Sequence, residues 1–291
     1  MTKFAKATTN TRATARGFTL VELITVIIVL GVVSVGISGF IRTGVQIYAD
    51  VTERDQLLGD SRFVVERINR ELRLAVPNSA RVTGDADIQC LEFVQAEWVT
   101  FYTNLPTVPS TSKSARVVEI GDITGNFTLD TSTDFAIVYP TDSTDIYDLT
   151  ENKRKKIDAC IDTGTDTSCN TNDDPNHLAT LTVNGAFADE STASRLYIAR
   201  KAVSYCVQNN SIYRYVDTLN TGQVTYDIDT NTDGSLMAEN LVNDLSGASE
   251  LPFRVSNATL RRNSLVQILL TFEHNDEIVN FSNEVHIPNV P

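Results

Sequence analysis

Glu22 is a carboxylate within a long apolar segment, and its setting suggests chemistry more directly than that of any other single residue. Residues 18–41 are otherwise apolar, apart from a few Thr and Ser residues. A charged side chain in such a segment is costly to place in a membrane, and residues of this kind usually have a function. We therefore interpret Glu22 either as a functional residue or as a side chain that extends to the membrane surface.

Disulfide formation is the second chemistry that the residue types suggest. The chain contains four cysteines and no CxxC pair, which disfavours a zinc ribbon or a thioredoxin-like site. The short separation of Cys160 and Cys169 allows a small disulfide loop, which leaves Cys90 to pair with Cys206. The alternative is that one or both of the distant cysteines stay buried and reduced. Disulfides indicate an oxidising compartment such as the bacterial periplasm.

Calcium binding is a third possibility, on a run rich in Asp and Asn. Asp229, Asn231 and Asp233 alternate as the first oxygen ligands of an EF-hand-type loop do. The acid that closes such a loop is missing, because Asn240 occupies its position and Glu239 lies one residue earlier. Two readings follow, a calcium site formed by Asp229, Asn231, Asp233 and Glu239, or a plain Asp/Asn turn.

Catalytic motifs are absent from the sequence. His177, His274 and His286 are far apart, and no GxSxG, P-loop or HExxH motif occurs. Residues 77–291 contain 30 acidic and 14 basic residues, and a surface with this charge repels nucleic acid. The basic run of residues 153–156 is interpreted as a solvated loop. The sequence therefore predicts a protein that is not an enzyme, that binds no nucleic acid, and whose only suggested cofactor is calcium.

The apolar segment is long enough to cross a membrane, since a helix of residues 18–41 extends about 36 Å. A secretory signal peptide is the alternative, but its apolar stretch is shorter, about 7–15 residues, and ends in a small-x-small cleavage site. Residues 18–41 do not meet these two conditions cleanly. Residues 1–17 contain four basic residues and no acidic one, whereas Arg42 alone follows the span. This asymmetry predicts a cytoplasmic N-terminus and a periplasmic location for the rest of the chain.

The helical pattern continues beyond the span and is expected to end before Pro77. Small and apolar residues recur there at helical spacing: Leu57, Leu58, Ser61, Val64, Val65, Ile68, Leu72 and Ala75. The sequence thus predicts a basic leader of residues 1–17, a helix of residues 18–76 and a head of residues 77–291. Within the helix, residues 18–41 form the membrane span and residues 42–76 the amphipathic part.

Antiparallel β-structure is predicted for the head, because many short segments are rich in β-branched and aromatic residues. Asn209-Asn210 and Asn275-Asp276 separate alternating runs and predict hairpin turns within a meander. Residues 141–180 and 217–234 are interpreted as long loops, because Thr, Asp, Asn and Gly dominate them. The predicted fold class is therefore α+β, with the long helix packed on an antiparallel sheet.

Arg16-Gly17-Phe18-Thr19-Leu20-Val21-Glu22 resembles the processing site of the type IV prepilin family. The resemblance implies that a prepilin peptidase cleaves between Gly17 and Phe18 and methylates the new amino group of Phe18. It also implies that Glu22 pairs with the terminal ammonium of a neighbouring subunit. The implied partners are this peptidase, other major and minor pilins and an inner-membrane assembly platform, and the subunit moves from inner membrane to pilus.

A narrower resemblance covers more of the chain. Residues 51–79 resemble the MshO-type minor pilins of the mannose-sensitive haemagglutinin (MSHA) pilus, and residues 237–247 are similar to larger minor pilins and to J-class pseudopilins of type II secretion. A head of this size is bulky for a repeated subunit, which favours a place at the tip or in the priming complex. The alternatives are a pseudopilin of a secretion system and an adhesin module at a pilus tip.

Overall fold

The computed structural model describes six stretches of the chain: residues 17–119, 128–162, 177–247, 249–257, 263–275 and 277–288. They belong to two compact units, Met1–Asp55 and Gln56–Pro291. A single helix, α1 (Leu20–Arg73), begins in the first unit and ends in the second. Within the first unit α1 is the only regular element that is described, and the residues of α1 that belong to this unit are all exposed.

The second unit begins with the packed end of α1. Its last turn is tightened by bonds from the backbone N–H of Leu74 to the carbonyl of Glu71 and from Ala75 to Leu72. Arg70 and Arg73 lie in this last turn, where positive charge is favourable. The helix therefore ends a few residues before Pro77, close to the predicted end.

Twelve strands and two short helices follow within the described residues. The strands are β1 (Arg81–Gly84), β2 (Ile88–Asn104), β3 (Ser114–Val118), β4 (Phe135–Ile137), β5 (Arg154–Asp162), β6 (Leu178–Val183), β7 (Arg195–Gln208), β8 (Ser211–Asp217), β9 (Ser235–Ala238), β10 (Phe253–Ser256), β11 (Ser264–His274) and β12 (Glu277–Ile287). The short helices are α2 (Thr144–Tyr147) and a 3₁₀ turn (Leu149–Glu151). Every strand pairing is antiparallel, as predicted.

Six of these strands close into a small barrel. β2 pairs with β3, β3 with β6, β6 with β5, β5 with β4 and β4 with β7, and β7 pairs again with β2. Apolar side chains fill the interior, including Val117, Ala136, Ile157, Leu181 and Ile198. Closure leaves these six strands without an open edge inside the ring.

An open sheet continues from the barrel along the same two long strands. Ile88–Val94 of β2 pairs with Ala202–Gln208 of β7, and β1, β8 and β9 extend this sheet on either side. The backbone of Ala96 donates to the carbonyl of Leu74, so the barrel begins beside the end of α1. The two long strands thus belong both to a sheet beside the helix and to a barrel beyond its C-terminal end.

The largest core of the second unit lies between α1, the open sheet and a separate three-stranded sheet of order β10-β11-β12. The helix contributes the fully buried side chains of Val64, Ile68 and Leu72. Residues from all three elements meet in this core: Leu57, Val65, Leu91, Phe93, Val203, Tyr205, Val207, Ile212, Phe253, Val266, Ile268, Leu270, Phe272, Val285 and Ile287. The predicted α+β arrangement is confirmed.

Two expectations about the head are wrong. Residues 141–180 do not form one long loop, because α2, the 3₁₀ turn, β5 and the start of β6 lie there. The basic run of residues 153–156 is not a solvated loop either, since Lys153, Arg154 and Lys155 are buried. The two lysines have polar partners: Lys153 Nζ lies 3.1 Å from Asp145 Oδ2, and Lys155 Nζ donates to Asn152 Oδ1 at 2.7 Å.

The predicted hairpins are present, but the sheets do not form a simple meander. Asn209 and Asn210 both have positive φ, as a two-residue turn between β7 and β8 requires. β11 and β12 form the second hairpin, and Asn275 has a φ of 51°. Strand order departs from chain order because β4, β5 and β6 pair across the barrel. Residues 217–234 contain no strand beyond the end of β8 and no helix, as expected.

Candidate functional site

The start of α1 leaves its first residues outside the helix. Gly17, Phe18 and Thr19 are not helical, and Phe18 is 82% exposed. The hydroxyl of Thr19 accepts a hydrogen bond from the backbone N–H of Glu22 at 3.2 Å, which is the arrangement of an N-cap. The Gly17-Phe18 bond therefore lies in exposed, non-helical backbone directly before a capped helix.

Glu22 lies in the first turn of α1, three residues after the capping Thr19. Threonine followed three residues later by glutamate has the spacing of a capping box, and a carboxylate at this position is favoured by the positive end of the helix dipole. Glu22 is exposed, so its side chain is accessible to a partner outside the chain. This local setting reduces the cost of a charge in an apolar segment, and sequence reasoning missed it although Thr19 is its visible signal.

Hydroxyl groups along α1 satisfy themselves within the helix. Thr25 Oγ1 donates to the carbonyl of Glu22, Ser38 Oγ to that of Ser34, and Thr43 Oγ1 to that of Gly39. Backbone bonds of this kind remove the need for water around a polar side chain. Thr25 and Ser38 in the span, and Thr43 just after it, are therefore compatible with an apolar environment.

The N-terminal part of α1 presents a continuous apolar surface. Its most apolar 18-residue window has a mean hydropathy of 2.7, and none of it is buried within the chain. The helix runs without interruption through Gly31, Gly36, Gly39 and Gly44, and a Cβ at any of them would meet no other atom. Nothing in the described chain covers this surface, so a membrane or another molecule must do so if it is to be buried.

The packed end of α1 is held to the head by a buried carboxylate. Glu71 is only 9% exposed, and its Oε1 and Oε2 lie 3.1 and 3.0 Å from Nε of Arg214 on β8. The hydroxyl of Tyr205 on β7 donates to Glu71 Oε2 at 2.9 Å, and Arg67 Nε lies 3.2 Å from Oε1. We call Glu71, Arg67, Tyr205 and Arg214 the helix lock. Sequence reasoning missed it because a charge on a helix usually faces solvent.

Burial, and next the carboxylate of Glu71, raise the pKa of Tyr205 well above its ordinary value. Both effects disfavour the phenolate, so the phenol keeps its proton and remains a donor to Glu71. A second polar contact joins the helix to the three-stranded sheet, since Asn283 Nδ2 donates to Asn69 Oδ1 at 2.6 Å. Polar contacts thus join α1 to both sheets of the head, in addition to the apolar packing of their shared core.

Cys90 and Cys206 form a disulfide between directly opposed residues of β2 and β7. Both are buried, in a small cluster with the stacked rings of Tyr215 and Tyr226. This part of the cysteine prediction is confirmed. Cys160 is also disulfide-bonded, whereas Cys169 lies outside the described residues.

The segment proposed to bind calcium is organised by a residue outside the candidate set. Asp227 Oδ1 accepts from the backbone N–H of Asp229 at 2.9 Å and from Gln208 Nε2 at 2.8 Å. These bonds, that from Gln208 first, lower the pKa of Asp227. Asp229, Asp233 and Glu239 are exposed and Asn231 is half-buried.

Gly234 in this segment is explained by packing, because a Cβ there would lie 2.6 Å from the ring of Tyr215. Across the described ranges, no group of three or more His, Cys, Asp or Glu side chains is placed to hold a metal ion. Asn231 and backbone carbonyls are outside such a count, so calcium binding stays a prediction.

Comparison with known proteins gave a match, which lies at the N-terminus. Residues 12–38 match the prokaryotic N-terminal methylation motif, which covers Gly17, Phe18, Glu22 and most of the apolar span. The N-terminal segment of the chain is therefore similar to that of type IV prepilins. Searches of curated proteins and of solved structures gave no significant match.

The prepilin-like chain has the fold that this motif leads one to expect. Its long, apolar N-terminal helix continues into an amphipathic part that packs on antiparallel sheet, which is a type IV pilin-like α+β architecture. The motif and the exposed apolar helix together fit a membrane-anchored pilin. The barrel of β2 to β7 is an addition that no motif in the sequence indicated.

Proposed function

We propose that this chain is a minor pilin that takes part, by priming or at the tip, in the assembly of a type IV pilus of MSHA type. The methylation motif at residues 12–38, followed by an apolar helix surface that nothing in the chain covers, carries the proposal. Such a surface has its complement in the corresponding helices of neighbouring pilin-like subunits. The resemblance of residues 51–79 to MshO-type minor pilins favours the MSHA system.

Processing is the first step of the proposed function. A prepilin peptidase cleaves between Gly17 and Phe18 and methylates the amino group of Phe18. Exposed, non-helical backbone around this bond supports the assignment, because a protease must bring its catalytic groups against the scissile peptide. The absence of a Cβ on Gly17 allows a closer approach than any other residue would.

Assembly is the second step, and Glu22 is its charged group. In the proposed complex, Glu22 pairs with the terminal ammonium that processing creates on Phe18 of an adjacent subunit. The attraction is strong once both groups leave water, and it sets the axial register between neighbours. Before assembly, the chain is a single-pass inner-membrane protein with a cytoplasmic N-terminus and a periplasmic head, in contact with the assembly platform.

The size and build of the head support a terminal position within the filament. A closed barrel lies beyond the C-terminal end of α1, in addition to the two sheets that pack on the helix. Each subunit that repeats along a shaft must accommodate heads above it, and an extra domain at this end obstructs that stacking. A terminal place, at the tip or in the complex that primes assembly, removes the obstruction.

The test compares Glu22→Val with Thr25→Val in the full-length chain. Both changes replace a polar side chain in the first turns of α1, but only the first removes the charge. We expect Glu22→Val to be inserted and processed normally, yet to be lost from sheared filaments and to reduce their number, with Thr25→Val close to wild type. Normal filament number and normal incorporation of Glu22→Val would remove the assembly role.

Two further readouts separate the proposal from its alternatives. N-terminal sequencing of the mature protein should begin at Phe18, and a retained Met1 would contradict processing. Deletion of the chain should reduce pili. If deletion instead blocked secretion of a folded protein and left pili intact, the chain would be a pseudopilin, and if only attachment were lost it would be a tip adhesin.

A further inference from the structure

β12 is the edge strand of the three-stranded sheet, and the direction of its backbone groups can be read from its neighbour. On β11, the N–H of Leu269 bonds to Pro252 and that of Glu273 bonds to Asn240, so odd-numbered residues of β11 point away from β12. Even-numbered residues of β11 therefore bond to β12, and they are opposite its odd-numbered residues. The N–H and C=O groups of Ile278, Asn280, Ser282, Glu284 and His286 thus point outward from the edge.

No described residue pairs with this outward row. β11 is the only strand beside β12, and no turn or loop backbone bonds to Ile278–Ile287 in the described ranges. The side chains of the same even-numbered residues are exposed. An unpaired row of this kind is a template for the addition of another strand.

β12 also lacks most of the features that usually protect an edge, and Glu284 is the one charge among its outward-pointing residues. Its pairing with β11 is regular over eleven residues and contains no bulge, and residues 277–287 contain no Pro, Lys or Arg. Elsewhere edges are short or closed, since β1, β9 and β10 have four residues each and the barrel is a ring. Native proteins shorten, charge or cover their edges, so a long regular one indicates a binding surface.

The inner face of β12 is incompletely covered where a further strand would complete it. Val279 and Phe281 face the core beneath α1 but remain half-buried, whereas Val285 and Ile287 further along are buried. On the outer face, Glu284 carries a negative charge at the edge and accepts one bond, from Gln267 Nε2 at 2.8 Å. A fitting strand therefore has apolar residues beside Val279 and Phe281 and a basic residue beside Glu284.

A second copy of the chain does not fit this edge in a membrane. Antiparallel pairing of two β12 edges has its two-fold axis perpendicular to the sheet, and this rotation reverses α1, which packs on that sheet. The N-terminal ends of the two packed helix parts would then point in opposite directions, whereas two chains anchored in one bilayer must both lead toward it. Parallel pairing would place the apolar inner face of one sheet and the polar outer face of the other on the same side of the joined sheet. The net charge of −13 also opposes self-association.

We propose that β12 binds an extended strand supplied by a different pilin-like subunit, so that the two heads share a continuous sheet. This inference rests on the proposed function, because co-anchored pilin-like subunits are the neighbours that α1 brings beside the head. Apolar residues beside Val279 and Phe281 and a Lys or Arg beside Glu284 identify the bound strand. The β12 edge thus selects a different pilin-like subunit, and the apolar surface of α1 anchors both subunits side by side.

The experiment uses the full-length chain in cells that assemble filaments, with a photo-crosslinking amino acid at Asn280, Ser282 or Glu284. Each of the other pilin-like subunits is tagged in turn and serves as the probe. We expect these three positions to crosslink to one extended segment of one subunit. Gln267 and Thr271 serve as controls, because they share the outer face but lie one strand, about 4.8 Å, further from the edge.

Ser282→Pro tests the backbone directly. The N–H that it removes points outward and is not used in the pairing with β11, so the fold is retained. We expect the crosslink from Asn280 to fall by about tenfold, the effect of losing one or two hydrogen bonds. Ser282→Ala keeps the N–H and should leave the crosslink unchanged.

The outcomes distinguish this inference from the proposed function. Unchanged crosslinking of a soluble, processed Ser282→Pro chain, or crosslinks from the control positions as strong as those from the edge, would overturn the inference. So would the absence of any crosslink to a pilin-like subunit while the chain is incorporated into filaments. Normal assembly of Glu22→Val instead contradicts the proposed function, whatever the edge does.

Discussion

The two parts of α1 share one continuous backbone but have different surroundings. Every residue from Gly17 to Gln56 is exposed, although most of the first half of this range is apolar. From Leu57 onward the helix alternates exposed and buried residues, with Val64, Ile68 and Leu72 fully buried. A long helix can therefore be stabilised by tertiary packing at one end while its other end keeps a surface for molecules outside the chain.

This difference assigns a separate task to each part. The N-terminal part satisfies its polar groups locally, through the Thr19 cap and the backbone bonds of Thr25 and Ser38. The C-terminal part places Glu71 against Arg214 and Tyr205, which are more than 130 residues away in the chain. In the proposed function, insertion and neighbour contacts depend on the first part, and retention of the head depends on the second.

The largest expected effect comes from removing the anion of the helix lock. Glu71→Leu leaves the half-buried guanidinium of Arg214 and the buried hydroxyl of Tyr205 without their acceptor, and we expect a loss of about 3–5 kcal/mol in the free energy of unfolding. Glu66→Leu is the matched control on the exposed face of the same helix, with an expected change within about 0.5 kcal/mol.

Denaturant titration of the full-length protein in detergent measures the free energy of unfolding of both variants. The fluorescence of the single tryptophan, Trp98 on β2, is the signal. Equal effects of Glu71→Leu and Glu66→Leu would show that the lock does not hold the helix to the head.

A second comparison places the same substitution in each part of the helix. Ile68 is fully buried and Ile28 is 60% exposed. We expect Ile68→Ala to lower the free energy of unfolding by about 2–5 kcal/mol, because it leaves a cavity in the core, and Ile28→Ala to change it by no more than about 0.5 kcal/mol. The same titration serves, and a large effect of Ile28→Ala would contradict the division of α1.

The disulfide tests whether stability of the head is independent of the exposed part of α1. Replacing Cys90 and Cys206 together by Ala removes a constraint that closes a long loop, and we expect a loss of about 2–4 kcal/mol. Membrane insertion and processing at Gly17 should be unchanged, since neither depends on the head core. A matching loss of processing in the double variant would show that the two parts are coupled.

Local signals were enough to predict the elements that depend on neighbouring residues. Apolar periodicity and Pro77 predict the helix, and Asn209-Asn210 predicts the β7–β8 hairpin, where both residues have the positive φ that the turn requires. The cross-strand disulfide followed from the spacing of the other two cysteines.

Features that depend on distant pairing were not predictable in this way. The barrel closes through β4, a strand of three residues that pairs with β5 and β7, and such a short segment has no distinctive periodicity. The sequence predicts a loop at Lys153, because its partner Asp145 is brought close only by the fold. The burial of Glu71 was not predictable for the same reason, since its partners Tyr205 and Arg214 lie on β7 and β8, far from α1 in the sequence.

The smallest expected effect distinguishes two roles for the glycines of the exposed part. Gly36 has no atom near its missing Cβ, so Gly36→Ala and Gly36→Leu should both leave the head stable to within about 0.5 kcal/mol. Ala and Leu have similar helix propensities, and each stabilises the helix locally by up to about 1 kcal/mol over Gly. If the glycine served local unwinding, the two variants would reduce filament number equally. We expect Gly36→Leu to reduce it far more than Gly36→Ala, because close helix packing responds to side-chain volume and unwinding responds to propensity.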